Sequence, residues 1–163
     1  MIFKKSFPHY IQLEQRDCGA TCLQMLCKYY GCYFEIDYLR QLTGTRKEGI
    51  TAYDFIKAAE QVGLRCLAFR VSYRKFRDEV PLPCVVHWRG HHYIVVYKIT
   101  KSHIYVSDPA VGPIKYTLKE FAEGWLSHST ANSKYPDIKS PTVKVSRNTS
   151  AIIPKKIGIP KIG

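Results

Sequence analysis

The sequence predicts an α+β fold, with an N-terminal helical subdomain packed on a C-terminal antiparallel sheet. Three observations predict it. Up to Gly63 apolar side chains recur at helical spacing between capping residues and terminating glycines. From Leu64 the chain changes to short runs rich in β-branched and aromatic residues. The links between those runs are hairpin-sized, too short for the crossover that parallel strands need.

The first helix runs from Cys18 to Tyr30, with Ala20, Cys22, Leu23, Met25, Leu26 and Tyr30 at helical spacing and Gly31 as its stop. Ile36 to Leu42 is a short second helix ending at Gly44. The stretch GITAYDFIKAAEQVG is a third, with Thr51 as N-cap, Asp54 three residues later and Gly63 terminating it. Leu64 to Val71 is strand-like, and Tyr73 to Arg77 a helical turn. PCVVHW, HHYIVVYKI and HIYVSD are strands joined by Arg89-Gly90 and Thr100-Lys101-Ser102. IKYT adds a fourth after Gly112-Pro113, and Leu118 to Trp125 is a closing helix. Residues 127–163 hold four of the nine prolines, and are read as a basic tail, poorly ordered or extended, outside a domain spanning 1–126.

At 163 residues and 45% hydrophobic the chain suits one domain with a core. No apolar run approaches the ~18 residues that a membrane span needs. MIFKKSFPHY lacks the apolar segment of a secretory signal. The six cysteines lie in helices and apolar runs rather than loops, and no CxxC pair occurs. They are read as reduced thiols in a cytosolic setting, with no structural metal site and no cofactor. Of the net charge of +12, half lies beyond Leu126, where seven Lys/Arg face one acid. That distribution is a solvated basic tail, and no nucleic-acid-binding motif accompanies it. Asn148-Thr149-Ser150 matches a glycosylation sequon, which the compartment argues against.

Cys18 stands at the first turn of its helix. There the positive end of the macrodipole and unpaired N–H groups favour a thiolate, and Gly19 is expected to keep the approach to the sulfur open. A thiolate nucleophile needs a base, and the base needs an orienting group. GHHYIVV supplies histidine at the start of one strand, and YVSDPA supplies Asp108 at the end of the next. Eight residues separate His92 from Thr100 and eight separate Thr100 from Asp108, so the two can be cross-strand neighbours. Gln12, six residues before Cys18, can fold back over the helix start and share an oxyanion site with the Cys18 N–H.

Gln12, DCGATCL with Met25, GHHYIVVY and SDP, in that order and spacing, resemble the bacteriocin-processing cysteine peptidases. These are papain-like double-glycine leader peptidases, usually the N-terminal domain of peptide-exporting ABC transporters. The resemblance spans about Phe7 to Trp125, and TGTRKEGITAYDFIKAAEQVG and LPCVVHW share it. It implies Cys18 as nucleophile, His92 as base, Asp108 as orienter and Gln12 as oxyanion residue. It selects His92 over His91, which should point to the opposite strand face. It makes Cys22 a packing residue, and leaves His87 and His103 as ordinary strand or turn histidines and His9 and His128 without a role. It implies a precursor peptide with a Gly-Gly leader as substrate and an exporting ABC transporter as partner, with the chain in the cytoplasm, at the inner face of the cell membrane when joined to a transporter. Gly19, Tyr53 and Tyr93 are the substrate-contact candidates, and Phe55 and Tyr97 also offer aromatic surface to a leader helix. The family's strand after the last helix has only TVKV as a poor counterpart here. Two other classes stand beside it: a catalytically silent domain that docks export substrates, in which the nucleophile is typically replaced and against which the presence of Cys18, His92 and Asp108 argues, and a cysteine acyltransferase, which reuses the same triad.

Overall fold

A computed structural model describes residues 6–126, 139–147 and 156–157. A short 3-10 turn, Gln15–Asp17, leads into α1 (Cys18–Tyr29), and Gly31 beyond its end takes φ 92°, a left-handed conformation that suits glycine. β1 (Tyr33–Phe34) precedes α2 (Ile36–Thr43) and α3 (Ala52–Gln61). α3 starts at a reciprocal cap, where Asp54 N–H donates to Thr51 Oγ1 at 3.1 Å and Thr51 N–H donates to Asp54 Oδ2 at 2.8 Å. Then come β2 (Leu64–Ser72), α4 (Tyr73–Glu79), β3 (Cys84–Trp88), β4 (His92–Ile99), β5 (His103–Asp108), β6 (Gly112–Thr117) and α5 (Leu118–Leu126). β7 (Lys139–Arg147) and β8 (Lys156–Ile157) complete the described elements. β8 pairs with β1.

The main sheet has six strands in the order β2-β7-β3-β4-β5-β6, all neighbours antiparallel. Alternation along the strands gives it two apolar faces. Val85, Val95, Val143 and Val145 pack under α1, α2 and α3 with Leu23, Met25, Phe34, Leu39 and Phe55. Val86, Ile94, Val96, Ile104 and Val106 face the other way, onto Phe76 of α4, Phe121 and Trp125 of α5, and Trp88. The sheet is thus covered on both sides, and burying each large side chain such as Trp125 contributes ~1.5–3 kcal/mol.

The tail reading is corrected for residues 139–147. They form no extended tail but an interior strand that joins β2 to β3. Lys144 separates buried Val143 and Val145, while buried Thr142 precedes them, so the alternation is short but sufficient. Pro141, which argues against a central strand, pairs with Arg70 of β2. The β3 ladder runs only from Thr142 to Lys144, so the missing N–H falls outside it. The sequon and His128 lie outside the described residues.

Candidate active site

The N-terminal segment is pinned across the sheet before it reaches the site. Phe7 is buried and stacks on Tyr97 with ring centroids 4.9 Å apart. His9 Nδ1 and Ser107 Oγ share a hydrogen bond of 2.7 Å, a structural role for a histidine that the sequence left without one. Gln12 N–H donates to Pro109 O at 2.7 Å, tying Gln12 to the loop that follows Asp108. The 3-10 turn then delivers buried Cys18 at the N-terminus of α1.

His92 opens β4 and Asp108 closes β5, and the two side chains meet: His92 Nε2 lies 2.6 Å from Asp108 Oδ1. The two are cross-strand neighbours on a diagonal rather than directly opposite. The β4–β5 hairpin turns at Thr100–Ser102, closed by Thr100 N–H to His103 O, and the register shifts between Val96 and Lys98. Val95 then pairs with Ser107, which places Ile94 opposite Asp108 and His92 two residues further along the same face. That diagonal spacing is within reach of an imidazole. Asp108 Oδ1 also accepts the Ala110 N–H at 2.8 Å, a turn that fixes the carboxylate's aim. The turn-forming string Asp-Pro-Ala is the only sequence signal for this bond.

With Nε2 committed to Asp108, the other ring nitrogen is left for Cys18, whose side chain acts on the imidazole. Burial pulls the His92 pKa down. The hydrogen bonds to Asp108 and Cys18, and the negative charge on both, outweigh burial and lift it from 6.5 to about 9. The arrangement therefore keeps His92 an imidazolium through neutral pH. His91 is exposed, its Nδ1 2.8 Å from Arg89 O.

Burial raises the pKa of the other cysteines. Cys22 is fully buried, donates from Sγ to Tyr93 O at 3.4 Å, and burial lifts its pKa well above the usual range. Burial also raises Cys27 and Cys84 and takes Cys66 to about 12. All six are free thiols.

An open cleft of about 380 Å³ runs past His92 and Asp108, bounded by Gln12, Trp88, Arg89, Val111 and Tyr116. Exposed Ile11 and Val111 stand near its rim. A larger hollow of about 630 Å³ lies elsewhere, between Arg77, Ile99, Lys101 and Leu118, with no nucleophile or base in it. Gln12 reaches the cleft, but its Nε2 donates to Gln15 O at 3.3 Å while its buried Oε1 has no partner.

Gly19 does not leave open space. A Cβ there would meet Ile50 Cδ1 at 2.4 Å, so the glycine lets the loop before α3 pack onto α1. Tyr93 lies beside it, partly buried, with its ring 4.9 Å from that of His87. Burial, then the charges of Cys18, Cys22 and Asp54, push the Tyr93 hydroxyl up to about 12. Tyr53 on α3 is 71% exposed, whereas Phe55 is a core residue and Tyr97 belongs to the Phe7 stack. Among the described residues no cluster of metal-ligating side chains occurs, and no helix is long and apolar enough to cross a membrane.

The chain matches the Peptidase C39 family over residues 6–133. It is 35% identical over 119 residues to the lactococcin-G-processing and transport ATP-binding protein LagD of Lactococcus lactis subsp. lactis, covering 70% of this chain and 17% of that protein. It is 32% identical over 145 residues to the pediocin PA-1 transport/processing ATP-binding protein PedD of Pediococcus acidilactici, covering 85% and 20%. The chain therefore spans about a fifth of the length of these curated relatives. Among solved structures, a double glycine motif protease from an AMS/PCAT transporter in complex with the leader peptide superimposes with TM-score 0.74 at 26% identity, covering 86% of this chain and 91% of that one. The peptidase domain of Streptococcus ComA gives 0.73 at 25% identity, covering 87% and 99%.

Proposed function

This chain belongs to the peptidase C39 family, and on that premise we propose that it is a cysteine endopeptidase. Its substrate is the leader of a bacteriocin-like or other secreted peptide precursor, cut after a Gly-Gly motif, and its partner is a peptide-exporting ABC transporter. It acts on the cytoplasmic side, where an exporter receives its precursors. The observation that carries the reading is the 2.6 Å contact of His92 with Asp108 beside the Cys18 that opens α1, whose side chain acts on the His92 imidazole.

The Cys18 thiolate attacks the carbonyl carbon of the second glycine, and its oxygen becomes an oxyanion. The Cys18 N–H at the helix start donates to it. Gln12 adds its side-chain N–H₂ once the amide turns over; the two ends of an amide are nearly isosteric and exchange by one rotation. The His92 imidazolium gives its proton to the departing amine as the C–N bond breaks, leaving a thioester on Cys18. Neutral His92 then takes a proton from water, the hydroxide attacks the thioester, and the leader leaves as a carboxylate while the thiolate returns. Asp108, held by Ala110 N–H, keeps the ring turned toward sulfur. Tyr93 forms the wall beside Cys18 with Gly19 beneath it, and exposed Tyr53 offers its ring to the leader.

The test is mass spectrometry of precursor peptides incubated with the protein. The wild type yields a leader ending in Gly-Gly, and Cys18→Ala yields none while still binding the leader. Cleavage by Cys18→Ala refutes the nucleophile assignment. A wild type that binds leaders without cutting them replaces this reading with the docking-only one.

A further inference from the structure

Directly before Cys18 stands Asp17, a carboxylate with no exposed surface at all. Burying a carboxylate without compensation is costly. A buried anion one residue from a nucleophilic cysteine, if left unneutralised, also opposes the thiolate. The compensation comes from α2. Arg40 Nε lies 3.1 Å from Asp17 Oδ1, close enough for an ion pair although its angle leaves Oδ1 short of a formal hydrogen bond. The same guanidinium reaches Glu14 Oε1 at 3.2 Å and Asp37 Oδ1 at 3.5 Å. Asp17 Oδ2 accepts the Glu14 N–H at 3.0 Å, and Asp17 N–H donates to Glu14 O at 3.0 Å, so the turn joining Gln12 to Cys18 closes on itself around this carboxylate.

Glu14 and Asp37 are more than half exposed and are screened by water, and Glu14 has Arg16 Nε at 2.8 Å as well. Asp17 pairs with Arg40. The other groups around the sulfur come from the sheet and from α1: His92, Asp108 and Tyr93, with Cys22 one turn along. Further out, Asp54 of α3 is held by Arg46 at 3.1 Å. Asp17 is thus the buried anion nearest in sequence to the sulfur, and its neutraliser stands on a different helix.

We propose that Arg40 is a positioning residue. Through buried Asp17 it fixes the turn that brings Gln12 and Cys18 together, and it cancels the charge that would otherwise oppose ionisation of Cys18. This rests on Cys18 acting as the nucleophile; Arg40 itself touches neither sulfur nor substrate.

The experiment follows iodoacetamide alkylation of Cys18 against pH in the full chain, which needs no substrate and so stands apart from the failure of any peptide to be cut. In Arg40→Met the alkylation profile moves to higher pH by about one unit, roughly a tenfold loss of reactive thiolate at neutral pH. On a cleavable peptide kcat falls by a similar factor with KM nearly unchanged. Arg40→Lys, which keeps the charge, retains most of the wild-type profile. Asp17→Asn combined with Arg40→Met removes both charges and returns the profile to that of the wild type, even if Arg40→Met alone does not fold. A structural role only would lower stability and leave the profile in place. An unmoved profile in Arg40→Met, a double variant as impaired as the single one, or a double variant that fails to fold overturns the proposal.

Discussion

Replacing Asp108 by asparagine changes one charge and almost no volume. The asparagine oxygen can still accept from Ala110 N–H, which the aspartate holds at 2.8 Å, and from His92 Nε2, now at 2.6 Å. What disappears is the ionic character of the second bond. A hydrogen bond to a charged group is worth ~1.5–3 kcal/mol against ~0.5–1.5 for a neutral one, so the loss is ~1–1.5 kcal/mol, or about tenfold in rate. If the amide turns its N–H₂ to His92 the ring is held in the wrong tautomer, and the loss grows to ~100-fold or more. The pH dependence carries the same signature. His92 stands at about 9 because Asp108 and Cys18 outweigh burial, so the cation survives through neutral pH and is lost as pH rises through about 9. This raised pKa also stabilises the fold, fully below pH 6.5 and no longer above about 9. In Asp108→Asn the alkaline limb of kcat/KM moves down toward 6.5, and stability varies less with pH between those values. Rate profiles on a Gly-Gly peptide and urea midpoints across pH 6–10 read both. A variant with the wild-type rate and an alkaline limb still near 9 would refute the reasoning.

The two adjacent histidines separate cleanly. His92→Ala lowers kcat by ~100-fold or more, the usual scale of a lost general acid–base, whereas exposed His91→Ala stays within a few-fold; steady-state rates decide, and the reverse order contradicts the strand register. Gly124→Ala puts a Cβ 2.2 Å from two atoms of the buried Trp88 ring. Overpacking costs ~1–3 kcal/mol and exceeds the ~1 kcal/mol that alanine adds to a helix over glycine. The urea midpoint falls and, because Trp88 pairs with His92 across β3 and β4, kcat/KM falls with it; a higher midpoint would show that Trp88 moves aside freely.

Helices were legible because their signals are local. Thr51 with Asp54 and the glycines at 31, 44 and 63 mark ends that the coordinates place within a residue or two. The meeting of His92 with Asp108 is legible because each stands at a strand end about equally far from one hairpin-sized link. Their geometry was less so: the irregularity between Val96 and Lys98, which sets the diagonal contact, has no marker in YIVVYKI. β7 was hidden by Pro141 and by an alternation only four residues long, since its place between β2 and β3 depends on partners more than fifty residues away. Gly19 lacks the open space that its size suggests because the side chain that fills it, Ile50, belongs to a distant loop. Arg40 was invisible for the same reason. Nothing in LRQL tells which carboxylate the guanidinium will meet.

A short peptide ending in Gly-Gly chloromethyl ketone tests the central claim most directly. It delivers an electrophilic carbon to the position of the scissile carbonyl, and peptide mapping reads which atom displaces the chloride. A single adduct on Cys18 Sγ, formed slowly or not at all in His92→Ala, is the predicted outcome. Modification of another cysteine in place of Cys18, or labelling of Cys18 at the same speed without His92, would contradict it.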